Sequence, residues 1–243
     1  MSQTIKTKGI VFRQLKYRES SIIIDVFTEQ KGLKSYLIHG VRSQKPTVSP
    51  MLVQPGSSID LVAYDAPQST LNKVKEVKAG IVYTSLPFSV PKSAIGQFII
   101  EVCRQVIKEE TPQPELYAFI EYTLTHIDQS RDSLTHFPIF FLLRLCEQLG
   151  FGLEYAWFGD ETYLDLKEGA FCPNPPRHKY VLYPELATLL RDYLQADWLS
   201  YTQIENKGGL RHQLFGQVVL YLKLHVENFG ELHSPDILRS ILK

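Results

Sequence analysis

Between Lys8 and Lys78 apolar and polar residues alternate in short runs, whereas beyond Gly80 the apolar residues recur every third and fourth position. A period of two belongs to half-buried strands and a period near 3.6 to amphipathic helices. The chain therefore predicts a β-rich beginning and a helical remainder. KGIVFRQL and SSIIIDVFTE are crowded with Val, Ile and Phe, side chains that pack well on a pleated surface. Glu29-Gln30-Lys31-Gly32 interrupts the run, with Gly32 free to take the positive φ of a hairpin turn. A third strand is expected over Leu33–Val41, and VRSQKPTVSP, rich in Ser and Pro, reads as a surface loop. SIDLVAYD alternates with Ile59, Leu61 and Ala63 on one face; Ala66-Pro67-Gln68 turns the chain, and STLNKVKEVKA returns as a lysine-bearing strand. Five strands within about 70 residues, with no helix between them, suggest a small closed antiparallel barrel of the OB type. An SH3-like barrel or an open sheet satisfies the same pattern.

In PKSAIGQFIIEVCRQVIKEE the residues Ile95, Phe98, Ile99, Val102, Cys103, Val106 and Ile107 form one apolar stripe, with Pro91 suited to a first helical turn. PELYAFIEYTLTHID and LTHFPIFFLLRLCEQLG predict two further helices; Pro138 belongs in the first turn of the latter, and Gly150 stops it. More helices are expected at PELATLLRDYLQ, at LRHQLFGQVVLYLKLHVENFG and at SPDILRSILK, whose Ser-Pro-Asp start suits a helix N-terminus. The expected fold is α+β in two domains: a five-stranded OB-type β-barrel over residues 1–80 and an all-α helical domain over residues 81–243, interrupted by an irregular insertion at about 151–182.

Charge changes the picture. The net charge is +0, yet residues 1–80 hold 12 Lys/Arg against 6 Asp/Glu and the remainder 14 against 20. A basic domain beside an acidic one directs the first toward nucleic acid or another acidic partner. Lys16 and Arg18 before the second strand, with Lys31, Lys34, Arg42 and Lys45 around the third, would crowd one side of a small barrel, and Lys73, Lys75 and Lys78 lie on the last strand. Tyr17 and Tyr36 stand among these charges, where an aromatic ring can stack on a base. Alternatively, the lysines solvate an outer face and Tyr36 packs inward.

Catalytic signatures are absent from the sequence: it has no phosphate-binding GxxxxGK[ST] loop, no GxGxxG, no GxSxG and no HExxH. The three cysteines, Cys103, Cys146 and Cys172, are odd in number and widely spaced, which fits a reducing compartment rather than a disulfide framework. Cys172 with His178 lacks the second ligand pair that a structural zinc site needs. No catalytic residue, cofactor or metal is expected. The N-terminus has no apolar leader, and no uncharged run approaches the roughly 20 residues that span a bilayer. A cytoplasmic location away from the membrane is the expectation.

GIVFRQLKYRESSIIIDVFTEQKGLKSYLIHGVRSQK resembles the start of the RecO family of bacterial recombination mediators. In that family an opening strand ends in R-x-x-x-Y-x-E-S, here Arg13, Tyr17, Glu19 and Ser20, followed by T-E-x-x-G, here Thr28, Glu29 and Gly32, and by a G-x-R basic corner, here Gly40 and Arg42. The similarity continues through SIDLVAY, LNKVKEVK, LPFSVPKSAIGQFIIEV, LLRLCEQLGF and HVENFGELHSPDILRSIL, nearly the whole chain. The resemblance implies an OB barrel joined to a helical domain. It also implies non-enzymatic binding of single- and double-stranded DNA, strand annealing and a nucleoid-associated location. The partners it implies are RecR and the C-terminal tail of single-stranded DNA-binding protein, with RecA engaged indirectly. Many members carry a four-cysteine zinc site in the helical domain; this sequence keeps only Cys172 there, so no zinc is expected. Lys16, Arg18, Lys34, Tyr36, Arg42 and Lys45 are the expected DNA contacts. A competing reading makes the barrel a protein-binding adaptor whose charges serve solubility.

Overall fold

The first strand is unusually long, and its length lets one segment close a barrel. In the computed structural model, which describes residues 3–65, 69–153, 159, 162–205 and 207–242, β1 (Gln3–Tyr17) pairs through its first half with β4 (Ser58–Asp65) and through its second half with β2 (Ser21–Thr28). A register shift between Val11 and Arg13 marks the change of partner, as a bulge increases local twist. β3 (Gly32–Ile38) pairs antiparallel with β2 and parallel with β5 (Leu71–Ala79), and β5 returns to β4. The order β1-β2-β3-β5-β4 is closed, so no edge is left open.

The interior follows the alternation seen in the sequence. Val11, Ile22, Ile24, Val26, Tyr36, Ile38, Ile59, Leu61, Ala63 and Val77 form the barrel core. β3 ends at Ile38, three residues before the expected Val41, because Gly40 takes φ +73° and begins the loop. Gly32 takes φ +64°, as the hairpin requires, and a Cβ there would collide with the carbonyl of Thr111.

Two helices, α1 (Val90–Val106) and α2 (Pro114–Gln129), belong to the same compact unit as the barrel, which runs to Gln129. Phe27 stacks on Phe12 at 5.6 Å and lies 6.0 Å from the ring of Tyr117 on α2, while the Leu33 amide donates to the Glu109 carbonyl. The flank of the barrel beside Gly32 is therefore covered by the segment joining α1 to α2. The second unit, Ser130–Lys243, holds α3 (Phe137–Gln148), α4 (Pro184–Gln195), α5 (Gly208–His225) and α6 (Ser234–Ile241). Its core includes Phe137 edge-on to Tyr201 at 5.5 Å and Phe140 stacked on Tyr201 at 4.9 Å. The stretch expected to be irregular contains a three-stranded sheet ordered β7 (Ala170–Cys172), β6 (Tyr163–Asp165), β8 (Val181–Leu182). Among the described residues no helix is long and apolar enough to cross a membrane.

Candidate nucleic-acid interface

The β1–β2 hairpin and the loop after β3 build one basic corner. Arg18 sits in the hairpin turn at φ +53°, a left-handed conformation that non-glycine residues seldom adopt. Its guanidinium carbon lies 5.2 Å from the centre of the Tyr17 ring, within cation–π range. The Arg42 amide donates to the Ser20 carbonyl at 3.0 Å, and Arg42 Nη1 reaches the Arg18 carbonyl at 3.4 Å. His39 Nδ1 shares a hydrogen bond with Ser21 Oγ at 3.1 Å. Within the loop, Ser43 Oγ donates to the carbonyls of Gly40 and Lys45 at 2.9 and 2.8 Å, and Thr47 Oγ1 donates to the His39 carbonyl at 3.0 Å. The loop is thus folded onto itself and stitched to the hairpin. Arg42 is held beside Arg18, and Lys45 lies on the same folded loop.

Lys16 joins them through the register: it faces Ile22, which in turn faces Ile38, the last residue of β3. Lys16, Arg18, Arg42 and Lys45 are all exposed, and among the described residues none of them is ion-paired with a carboxylate. Glu19, also exposed, is the acid within the hairpin itself.

One expected contact, Tyr36, is corrected, and another, Lys34, is found beside an acid. Tyr36 is 1% exposed and belongs to the barrel core, so its ring cannot reach a base. The cause is strand parity: Tyr36 shares a face with Ile38, and alternation takes both inward. Lys34 has that same parity at the barrel rim, where its ammonium is ion-paired with Glu110, and only 20% of its side chain is exposed. Arg13 is likewise committed, with Nε 2.5 Å from an Asp25 carboxylate that also accepts from Ser35 Oγ at 2.6 Å.

A second cationic area lies on the outer face of β1, β4 and β5. Lys6 and Lys8 face Val62 and Asp60 across the β1–β4 ladder, and Lys73, Lys75 and Lys78 on β5 are exposed. Glu76 is surrounded by them: its carboxyl is held below the usual value first by the hydrogen bond from Lys78, then by the charges of Lys78, Lys75 and Lys6. Tyr64, 39% exposed on β4 and opposite Thr4, supplies an outward ring on this face. The signal for Tyr64 was present in the sequence. The alternation of SIDLVAYD, which takes Ile59, Leu61 and Ala63 inward, turns Tyr64 outward.

Burial pushes the Cys103 and Cys146 thiols far up, and burial followed by the Asp165 charge raises Cys172. In the second unit, Pro138, Ile139, Phe215 and Leu238 line a pocket together with Arg211, His212 and Arg239, the last 3.9 Å from an Asp236 carboxylate oxygen.

A closed five-stranded barrel with an exposed basic corner, on a chain whose remainder is chiefly helical, defines the class as α+β with an OB-type barrel. Comparison with known proteins narrows the class. Residues 1–80 match the model of the recombination protein O N-terminal domain, and residues 88–234 match that of its C-terminal domain. The chain is 30% identical over 237 residues to the DNA repair protein RecO of Bacteroides fragilis, covering 97% of this chain and 98% of that one. It is 28% identical over 236 residues to that of Phocaeicola vulgatus, at 97% and 98% coverage, and 30% identical over 244 residues to that of Flavobacterium johnsoniae, at 98% of each. The chain belongs to the RecO family of DNA repair proteins.

Proposed function

We propose that this chain is a non-enzymatic recombination mediator whose barrel binds single- and double-stranded DNA without sequence preference and anneals complementary strands. In this reading it acts with RecR in the bacterial cytoplasm, at the nucleoid, engages the C-terminal tail of single-stranded DNA-binding protein, and helps load RecA onto strands coated by that protein. The pocket lined by Pro138, Ile139, Phe215 and Leu238 with Arg211 and Arg239, which joins apolar surface to cations, supports the reading that the partner tail docks in the second unit.

The observation that carries the reading is the corner of Lys16, Arg18, Arg42 and Lys45, exposed and without a carboxylate partner among the described residues. Cations of this kind gain affinity by releasing the counterions condensed on phosphates, a gain that ignores base identity. They also screen the repulsion between two strands, which annealing requires. Tyr17, half-buried beneath Arg18, and outward-facing Tyr64 offer rings for sequence-tolerant stacking.

The test is annealing of complementary oligonucleotides by the full chain and by the double variant Arg42→Ala, Lys45→Ala. The variant should bind more weakly and anneal more slowly, and its binding should lose about 1.4 from the log–log salt slope, the share of two phosphate contacts to a single strand. An adaptor that binds only protein would leave both quantities unchanged and would show no mobility shift with short single strands at low salt.

A further inference from the structure

The small sheet of the second unit gathers cations and aromatic rings that the packing of that unit does not consume. Tyr163 on β6 meets Tyr183 edge to face at 5.8 Å, and Tyr183 is 62% exposed. Lys167, in the β6–β7 turn, and Lys179, just before β8, each hold Nζ 5.4 Å from the centre of the Tyr180 ring. Arg177 is exposed on the same stretch. The acid most able to neutralise the lysines is engaged elsewhere. Asp165 Oδ1 accepts the amides of Lys167 and Glu168 at 2.8 and 3.2 Å, and Oδ2 meets His178 Nε2 at 3.1 Å. Among the described residues, Glu168 in the turn and Glu185 in the first turn of α4 are the exposed acids nearby in sequence.

A ring that holds two ammonium groups over or beside it restrains their charge to one part of the sheet. Tyr183, three residues further along the chain and against Tyr163, adds a π-surface open to solvent. Phosphate and a planar base are the two chemical groups that such a pair matches, and a single strand presents both at every nucleotide. We infer that the β6–β8 sheet is a second contact for single-stranded nucleic acid, with Tyr183 stacking on a base and Lys167, Lys179 and Arg177 meeting phosphates. The inference rests on the reading that the barrel holds one strand; a second contact on the same chain lets it hold two.

The test uses the full chain, a 5-iododeoxyuridine-substituted single strand, photo-cross-linking and peptide mapping, together with the stoichiometry of short-oligonucleotide binding. Cross-links should map to the peptide containing Tyr183 as well as to the barrel, with two short strands bound per chain. The variant Lys167→Ala, Lys179→Ala, Tyr183→Ala should keep the barrel cross-links, bind one strand, and lose the sheet cross-links. Tyr183→Ala alone should weaken the second event by about 5- to 100-fold through lost stacking, and Tyr183→Phe should retain it. Cross-links at the barrel but never at the sheet, or retention of poly-glutamate in place of the oligonucleotide by the sheet, would overturn the inference and leave the barrel reading standing. Cross-links at the sheet but not at the barrel would sink the barrel reading while the sheet contact stood.

Discussion

Tyr36 and Lys34 show what a single position on a strand decides. GLKSYLI offers two alternating sets, Leu33-Ser35-Leu37 and Lys34-Tyr36-Ile38, and neither is wholly apolar. Which set turns inward depends on the register with β2, where Ile24 faces Tyr36 and Ile22 faces Ile38, and a seven-residue strand does not announce that register. Arg42 and Lys45 were easier to place, because a loop rich in Ser and Pro keeps its charges in solvent. Tyr36→Ala removes a large core side chain and should lower the unfolding free energy by about 3–5 kcal/mol, measured by urea denaturation. Lys34→Ala should lower it by at most about 1 kcal/mol and leave the salt slope of DNA binding where it was, since that ammonium is already paired with Glu110. A reduced slope in Lys34→Ala would return Lys34 to the interface.

At the level of elements, the exit from the barrel is fixed by a carboxylate. Asp128 lies in the last turn of α2, where the helix dipole disfavours an acid. It is held there by its partners: the amides of Thr84, Ser85 and Leu86 donate to it at 3.0, 2.7 and 2.7 Å, and Thr84 Oγ1 at 3.3 Å. Its backbone carbonyl accepts from Ser85 Oγ and, at 2.8 Å, from Lys92 Nζ on α1. The turn before α1 is thereby locked to the end of α2. Burial alone would raise the Asp128 carboxyl, but the amides of Leu86, Thr84 and Ser85 outweigh it and hold the value below normal. A depressed folded-state value stabilises the protein above the unfolded carboxyl value of about 3.9, and that contribution is lost as pH falls through the lower folded value. Asp128→Asn should therefore cost about 2–3 kcal/mol at pH 7, and in urea melts the gap to the parent chain should begin to narrow below about pH 4 and close as pH falls past the depressed folded value. A gap independent of pH would contradict the clamp. The sequence carried no sign of this pairing, because the partners are more than forty positions apart.

Across the whole molecule, the sequence made the order of elements readable because the change in period at Gly80 is abrupt and each long helix carries its own apolar stripe. It did not reveal that α1 and α2 share a compact unit with the barrel, since period reports the kind of element and not its packing partner. Nor did it reveal the β6–β8 sheet, whose strands of three, three and two residues are too short for alternation to register. The opposed charges of the two parts were legible by counting, and the structure turns that count into a place by tying the loop that carries Arg42 and Lys45 to the hairpin that carries Lys16 and Arg18. The measurement that tests this most directly is the salt dependence of single-strand binding by the full chain and by the fourfold variant Lys16→Ala, Arg18→Ala, Arg42→Ala, Lys45→Ala. The variant should bind more weakly, with a log–log slope shallower by about 2.8, four phosphate contacts at about 0.7 each. Equal slopes for the two proteins would contradict it.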